Sequence, residues 1–397
     1  MPKANAGTAL MQIRVAKVFT QNQVVDDAVL SFNQQIEDIQ AASSFDKSSA
    51  CNNSQMLDYS DFWLIPGLID THAHGAMGCD VMDASHHSLD TMSQYFASLG
   101  VTGFLPTTMT ANKTDICAAL RQIHRSKIQG VQGAEILGGY LEGPFFNPAY
   151  KGAQPAEHFL EINRSDLDDF LQAAQGSLSS IALAPEQLLA PSLIPYLKQQ
   201  GLRVMLGHTN ATYEQTMAAL NAGADGVVHC FNGMRGLHHR EPGVVGAALS
   251  CPHCYTELIA DGQHVHPAIM KLSYQLKGSE YLNLITDSVP SSGLADGDYF
   301  LGSVPINIQR GVARTAEGGL AGSTLQLLHA VRDACSWFDI NLHTALKMAS
   351  LTPATLLGIE DKYGSIKIGK QACFSVIDQQ FNVQAAWVNG QKVYQKE

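Results

Sequence analysis

Apolar and polar positions along this chain change their rhythm twice. Residues 11–32 alternate as strands do, through Ile13, Val15, Val18, Val24, Val25, Val29 and Leu30. Residues 40–61 are polar and read as turns and a loop. Beyond them, apolar runs end in a polar residue near His72, Thr107, Glu142, Glu186, His208, His229, Asp261 and Asp287. Helix-period segments lie between these runs, as in Ile116, Leu120 and Ile123 at i, i+4 and i+7. Eight such units are the number that closes a parallel β/α barrel, whose active sites lie at the C-terminal ends of the strands. After the eighth unit, residues 324–337 and 342–357 read as helices, with a turn or kink at Thr352-Pro353. Alternation then returns in short strands at 366–370, 372–377 and 386–393, and Asn389-Gly390 signals a hairpin. The expected architecture is α/β: a (β/α)8 barrel over residues 61–363, with a small β domain built from residues 1–60 and 364–397.

The polar residues at the strand ends carry the chemistry. Glu142 closes one apolar run, and His208 and His229 close two others. A carboxylate stranded there is costly to bury without positive charge beside it. One carboxylate and two imidazoles form a ligand set suited to Zn²⁺ or Fe²⁺, with room for a water. His72 and His74 stand at i and i+2 on the first barrel strand, so they face the same way and can share an ion. The blander reading is a set of unrelated strand-end polar residues.

Composition narrows the class. Charged residues make only 15% of the 397 positions against 45% hydrophobic, which predicts a large core. A net charge of −11 argues against non-specific nucleic-acid binding while leaving room for a phosphorylated small molecule. The first residues lack the apolar run of a signal peptide, and no stretch nears the roughly 18 apolar residues of a membrane span, so a cytoplasmic protein is expected. Eight scattered cysteines read as reduced thiols, and Cys251-Pro-His-Cys254 has no second pair to complete a structural zinc site.

The stretch PGLID-T-HAH-G (66–75), with single ligand-type residues on later strand ends and a lone Asp on the eighth strand, resembles the amidohydrolase superfamily. Within it the chain is similar to the N-acetyl-amino-sugar-6-phosphate deacetylases. The resemblance is carried by GCDVMDAS (78–85), LEGPF (141–145), LAPE (183–186), GHTNATYEQ (207–215), HCFNGM (229–234), HHREPGVVGAAL (238–249), ELIADGQHVHP (257–267), TDSVPSSG (286–293) and LAGSTL (320–325).

What the resemblance implies is specific: a TIM-like metal-dependent hydrolase barrel with a small β-sandwich domain formed from both termini. Glu142, His208 and His229 would bind a catalytic divalent metal, and His72 with His74 a second, giving one or two ions per chain. Asp287 would act as general base and then acid; its blander role is a helix N-cap. Substrate contacts would fall to Ala153, Gln154, Asn232, Gly233, Arg240, Asp261 and His264, with Leu320, Ala321 and Gly322 helping through their backbone. Arg240 would clamp a phosphate in a neighbouring subunit of a homodimer; its blander role is a salt bridge with Glu241. One departure stands out: where the family commonly has histidine, this chain has Gln154. His86, His87, His124, His158, His253 and His343 have no motif context. The expected reaction is deacetylation of N-acetylglucosamine 6-phosphate. The alternatives are its galactosamine epimer, a cyclic-amide hydrolase or deaminase, and a non-enzymatic sugar-phosphate sensor.

Overall fold

A computed structural model describes residues 10–45, 56–188 and 192–397. The two ends of the chain meet in one seven-stranded sheet. Its order is Gln391–Gln395, Val383–Val388, Phe374–Ile377, Met56–Pro66, Met11–Phe19, Val24–Phe32 and Ile36–Ala41. Met11–Phe19 runs parallel to Met56–Pro66, and every other neighbouring pair is antiparallel. The alternation seen in the sequence buries Ile13, Val15, Val18 and Leu30 on one side, around Phe32, Phe374 and Trp387. Those rings contact one another at 5.0–6.2 Å. Asn389 and Gly390 both take positive φ, 49° and 77°, as a tight two-residue hairpin requires.

Eight parallel strands form the barrel: β1 (Leu68–Ala73), β2 (Val101–Thr108), β3 (Gly139–Glu142), β4 (Leu178–Leu183), β5 (Arg203–Leu206), β6 (Gly226–Val227), β7 (Tyr255–Ile259) and β8 (Leu282–Ile285). Each pairs with the next in sequence order. The ring is drawn shut by side chains between β8 and β1. Asn283 Nδ2 donates to Thr71 Oγ1 at 2.8 Å, and Thr286 Oγ1 donates to Asp70 Oδ2 at 2.5 Å. A parallel bridge, Ala73 to Ser288, and a bond from the Asp287 N–H to the His72 carbonyl at 3.0 Å continue the closure. Closure therefore sets the end of the first strand directly against Asp287. Helices fill the connections. Lys113–Gln129, capped by the Asn112 side chain on the Asp115 N–H, buries Ile116, Leu120 and Ile123.

Four local expectations change. Residues 56–61 belong to a strand, because pairing with Met11–Phe19 outweighs their polar composition; residues 46–55 lie outside the described region. Residues 366–370 form only an isolated bridge from Ile366 to Thr20. The final helical region splits into Leu327–Phe338, Leu342–Lys347 and Leu351–Leu357, and the last break falls at 348–350, just before Thr352-Pro353. An unexpected antiparallel sheet, Gly297–Leu301, Val304–Gln309 and Val312–Thr315, follows β8 and packs Leu301, Ile306 and Ile308 against Met109, Val289 and Ala321. Among the described residues no helix is long and apolar enough to cross a membrane.

Candidate active site

The site lies where the barrel strands stop. β3 ends on Glu142 itself, while β5, β6 and β8 stop two residues before His208, His229 and Asp287. Those three residues leave the strand with positive φ, 47°, 25° and 52°, a conformation uncommon for side-chain-bearing residues and concentrated at functional sites. Asp287 begins no helix, so its capping role falls away.

Glu142 is buried at the centre. Its Oε1 lies 3.1 Å from His229 Nε2, 3.3 Å from His208 Nε2 and 3.5 Å from His72 Nε2. Its Oε2 lies 3.3 Å from His74 Nε2, which is also 3.3 Å from Asp287 Oδ1. The opposite ring nitrogens are held from behind. The Nδ1–H groups of His74, His208 and His229 donate to the carbonyls of Thr107, Tyr150 and Asn232 at 3.0–3.1 Å. A carbonyl only accepts, so Nδ1 keeps its proton and Nε2 faces inward. His72 differs: its Nδ1 meets the buried carboxylate of Glu257 at 3.2 Å.

Two groups of potential ligands result, His72 with His74 and Asp287, and Glu142 with His208 and His229, each with its ligand atoms within 4.8 Å. Both combine imidazole nitrogen with carboxylate oxygen, a donor set that fits a borderline divalent ion. The cluster demands positive charge. Burial alone would lower the His74 pKa, but hydrogen bonds to Asp287 and Glu142 carry it up to about 9. Burial would likewise raise Glu142, yet His72 and the bonds from His208 and His229 hold it well below the usual carboxylate range. Protons or a metal ion meet that demand.

Over these groups opens a cavity of about 310 Å³, lined by His74, Glu142, His208, His229 and Asp287. Of the expected substrate contacts, Ala153, Gln154, Asn232, Gly233, His264, Leu320 and Gly322 also line it. Asp261 does not; its Oδ2 holds His264 Nδ1 at 2.7 Å, so it orients that imidazole. Ala321 is packed in the core beneath, and His72 is buried behind the wall. Arg240 lies outside the lining, exposed, with Nη1 donating to His239 Nε2 at 2.7 Å. Its presumed partner Glu241 instead approaches Arg235, at 3.9 Å. No lysine or arginine appears among the described residues of the lining.

The structure adds three contributors that sequence reasoning passed over. Glu257 braces His72 and accepts from the His229 N–H at 3.4 Å. Glu186, the residue ending the fourth unit, ties loops together by accepting from Asn147 Nδ2, the Asn210 N–H and the Thr209 hydroxyl. Leu301 and Thr315 of the extra sheet form a wall of the cavity. Glu257 did leave a signal, an acidic residue in the middle of an otherwise strand-forming run, Tyr255-Thr256-Glu257-Leu258-Ile259. Cys251 and Cys254 join no group of potential ligands among the described residues, and burial pushes the Cys254 thiol up to about 12.

Comparison with known proteins agrees with this geometry. Residues 63–393 match the model of the amidohydrolase family. An N-acetylglucosamine-6-phosphate deacetylase of Vibrio furnissii is 47% identical over 381 residues, 96% of this chain and 94% of the relative. An N-acetylgalactosamine-6-phosphate deacetylase of Escherichia coli O157:H7 is 48% identical over 328 residues, 83% of this chain and 87% of the relative. Among solved structures, the N-acetyl-D-glucosamine-6-phosphate deacetylase of Mycobacterium smegmatis, in complex with N-acetyl-D-glucosamine-6-phosphate, superposes with a TM-score of 0.90 at 29% identity, covering 97% of this chain and 99% of that one. A family match over most of the barrel, relatives close to half identical, and a ligand cluster at the strand ends all converge: this chain belongs to the N-acetylglucosamine-6-phosphate deacetylase family of amidohydrolases.

Proposed function

We propose that this chain is an amide hydrolase that deacetylates N-acetyl-D-glucosamine 6-phosphate, releasing D-glucosamine 6-phosphate and acetate. The observation that carries the reading is the carboxylate of Asp287, 3.3 Å from His74 and beside the Glu142–His208–His229 group, on the wall of a cavity of about 310 Å³. Glu142, His208 and His229 would hold the catalytic ion, with Zn²⁺ preferred and Fe²⁺ the alternative; His72 and His74 would serve a second. A bound divalent ion supplies a Lewis acid and acidifies a water. Asp287 takes the proton from the attacking water as the new C–O bond forms, then returns it to the amine nitrogen as the C–N bond breaks. Asn232, Gly233, His264 and the backbone at 320–322 orient the sugar, with Asp261 fixing His264. A phosphate dianion in a cavity with no lysine or arginine among its described lining residues calls for a cation from elsewhere. The exposed Arg240 supplies it across a homodimer interface.

The galactosamine epimer is a specific second reading, because the relative acting on it is as similar as the glucosamine one and Gln154 stands at a substrate-facing position. Acetate release from the two N-acetylhexosamine 6-phosphates, measured side by side, tests both. The first reading expects the higher kcat/KM on the glucosamine compound. A preference for the galactosamine compound selects the second, and no release from either sinks both.

A further inference from the structure

Gln154 carries a side chain whose orientation is fixed from both ends. It is buried, and its Oε1 accepts from the Thr110 backbone N–H at 2.9 Å. The carbonyl end being taken, the amide NH₂ must point the other way, and there Nε2 donates to Glu142 Oε2 at 2.5 Å. That oxygen is the one facing His74, at 3.3 Å, whereas Oε1 faces His208 and His229 at 3.3 and 3.1 Å, with His72 farther off at 3.5 Å. Oε2 is thus the Glu142 oxygen turned toward His74, the histidine that meets Asp287, and it is the one that Gln154 occupies.

Two divalent ions in one such site stand about 3.5–4 Å apart. At that range in a buried setting they repel strongly and need a shared anionic oxygen between them. Glu142 can lend Oε2 to such a bridge, but Gln154 already takes one of that oxygen's lone pairs. We propose that Gln154 is a positioning residue that limits metal occupancy: by holding Oε2 it leaves the Glu142–His208–His229 group its ion and weakens a second ion at His72, His74 and Asp287. The inference rests on the ligand reading given under the proposed function. A second ion competes with a charge-assisted hydrogen bond for the electron density of Oε2, which costs roughly 10–100-fold in its affinity.

The test is metal content after gel filtration, with Zn²⁺ titration of the metal-free protein, for wild type and for Gln154→Met and Gln154→Glu. Methionine is close in size and removes the donor. Glutamate also removes it but keeps an acceptor for the Thr110 N–H, so it guards against a folding defect. Wild type should hold one tight ion. Both variants should hold two, the second bound roughly 10–100-fold more tightly than in wild type, and adding His74→Ala to Gln154→Met should return the count to one. Two tight ions in wild type, or one ion in either folded variant, overturns the proposal and leaves the first ligand group standing. A wild-type protein that binds no ion overturns the ligand reading itself.

Discussion

A carboxylate among imidazoles carries protons only if it is ionised when water must be activated. For Asp287, burial pulls toward the neutral acid, but the hydrogen bond from His74 and the charge of His72 outweigh it and hold its pKa at about 2. It is therefore ionised at neutral pH. Asp287→Asn keeps the shape and loses the proton acceptor. We expect metal held by Glu142, His208 and His229 to stay near its wild-type content while kcat falls by at least about 10²-fold. Acetate-release kinetics with parallel metal analysis read both, and a variant keeping most of its kcat denies Asp287 the proton-shuttle role. At this scale the sequence was informative where a polar residue ends an apolar run, as at Glu142, His208 and His229. It was uninformative where a residue acts through another: the Glu257 carboxylate meets His72 and the His229 backbone, and that pairing exists only once the closed barrel brings β1, β6 and β7 together.

At the scale of elements, the eight barrel strands were legible because parallel strands buried on both faces read as apolar runs. The strand at 56–66 was not, because its polar start is stabilised by pairing with residues some forty positions earlier. The extra sheet at 297–315 had a readable pattern, with Leu301, Ile306 and Ile308 buried and turns at Gly302 and Gly311, both at positive φ. It was passed over because a barrel already complete at eight units left no expected place for it. The terminal hairpin can be tested directly. A Cβ on Gly390 would sit 1.7 Å from the Asn33 carbonyl oxygen, whereas one on Gly369 meets nothing within 4 Å, although both glycines have positive φ. Alanine at either position incurs roughly 1–2 kcal/mol for the left-handed backbone. Gly390→Ala adds the collision, on the order of 1–3 kcal/mol. Thermal unfolding should place Gly390→Ala clearly below Gly369→Ala, with both keeping wild-type kcat; equal midpoints mean that the hairpin yields without resistance.

At the scale of the whole molecule, the chain carries a net charge of −11 and builds a cavity for a proposed dianionic phosphate with no lysine or arginine among the described lining residues. Arg240 stands in an exposed loop after β6, its guanidinium meeting its neighbour His239 while Glu241 approaches Arg235 instead. A dimer that inserts the partner subunit's Arg240 into each cavity resolves the mismatch. Loss of a guanidinium–phosphate clamp, about 1.5–3 kcal/mol, should raise KM roughly 10–100-fold in Arg240→Ala. An effect on KM alone does not distinguish an arginine acting in its own subunit from one acting across the interface, but mixing does. On this proposal Arg240→Ala and Asp287→Asn should each be weakly active, for different reasons. In a mixed dimer, the Arg240→Ala chain keeps its own Asp287 and receives the partner subunit's Arg240, so one site is complete. Half of randomly paired dimers are mixed, so unfolding and refolding equal amounts together should restore up to about a quarter of wild-type turnover at low substrate. Heterodimers that form, as seen by mass spectrometry of differently tagged chains, yet recover no activity would place Arg240 within its own subunit or outside the reaction altogether.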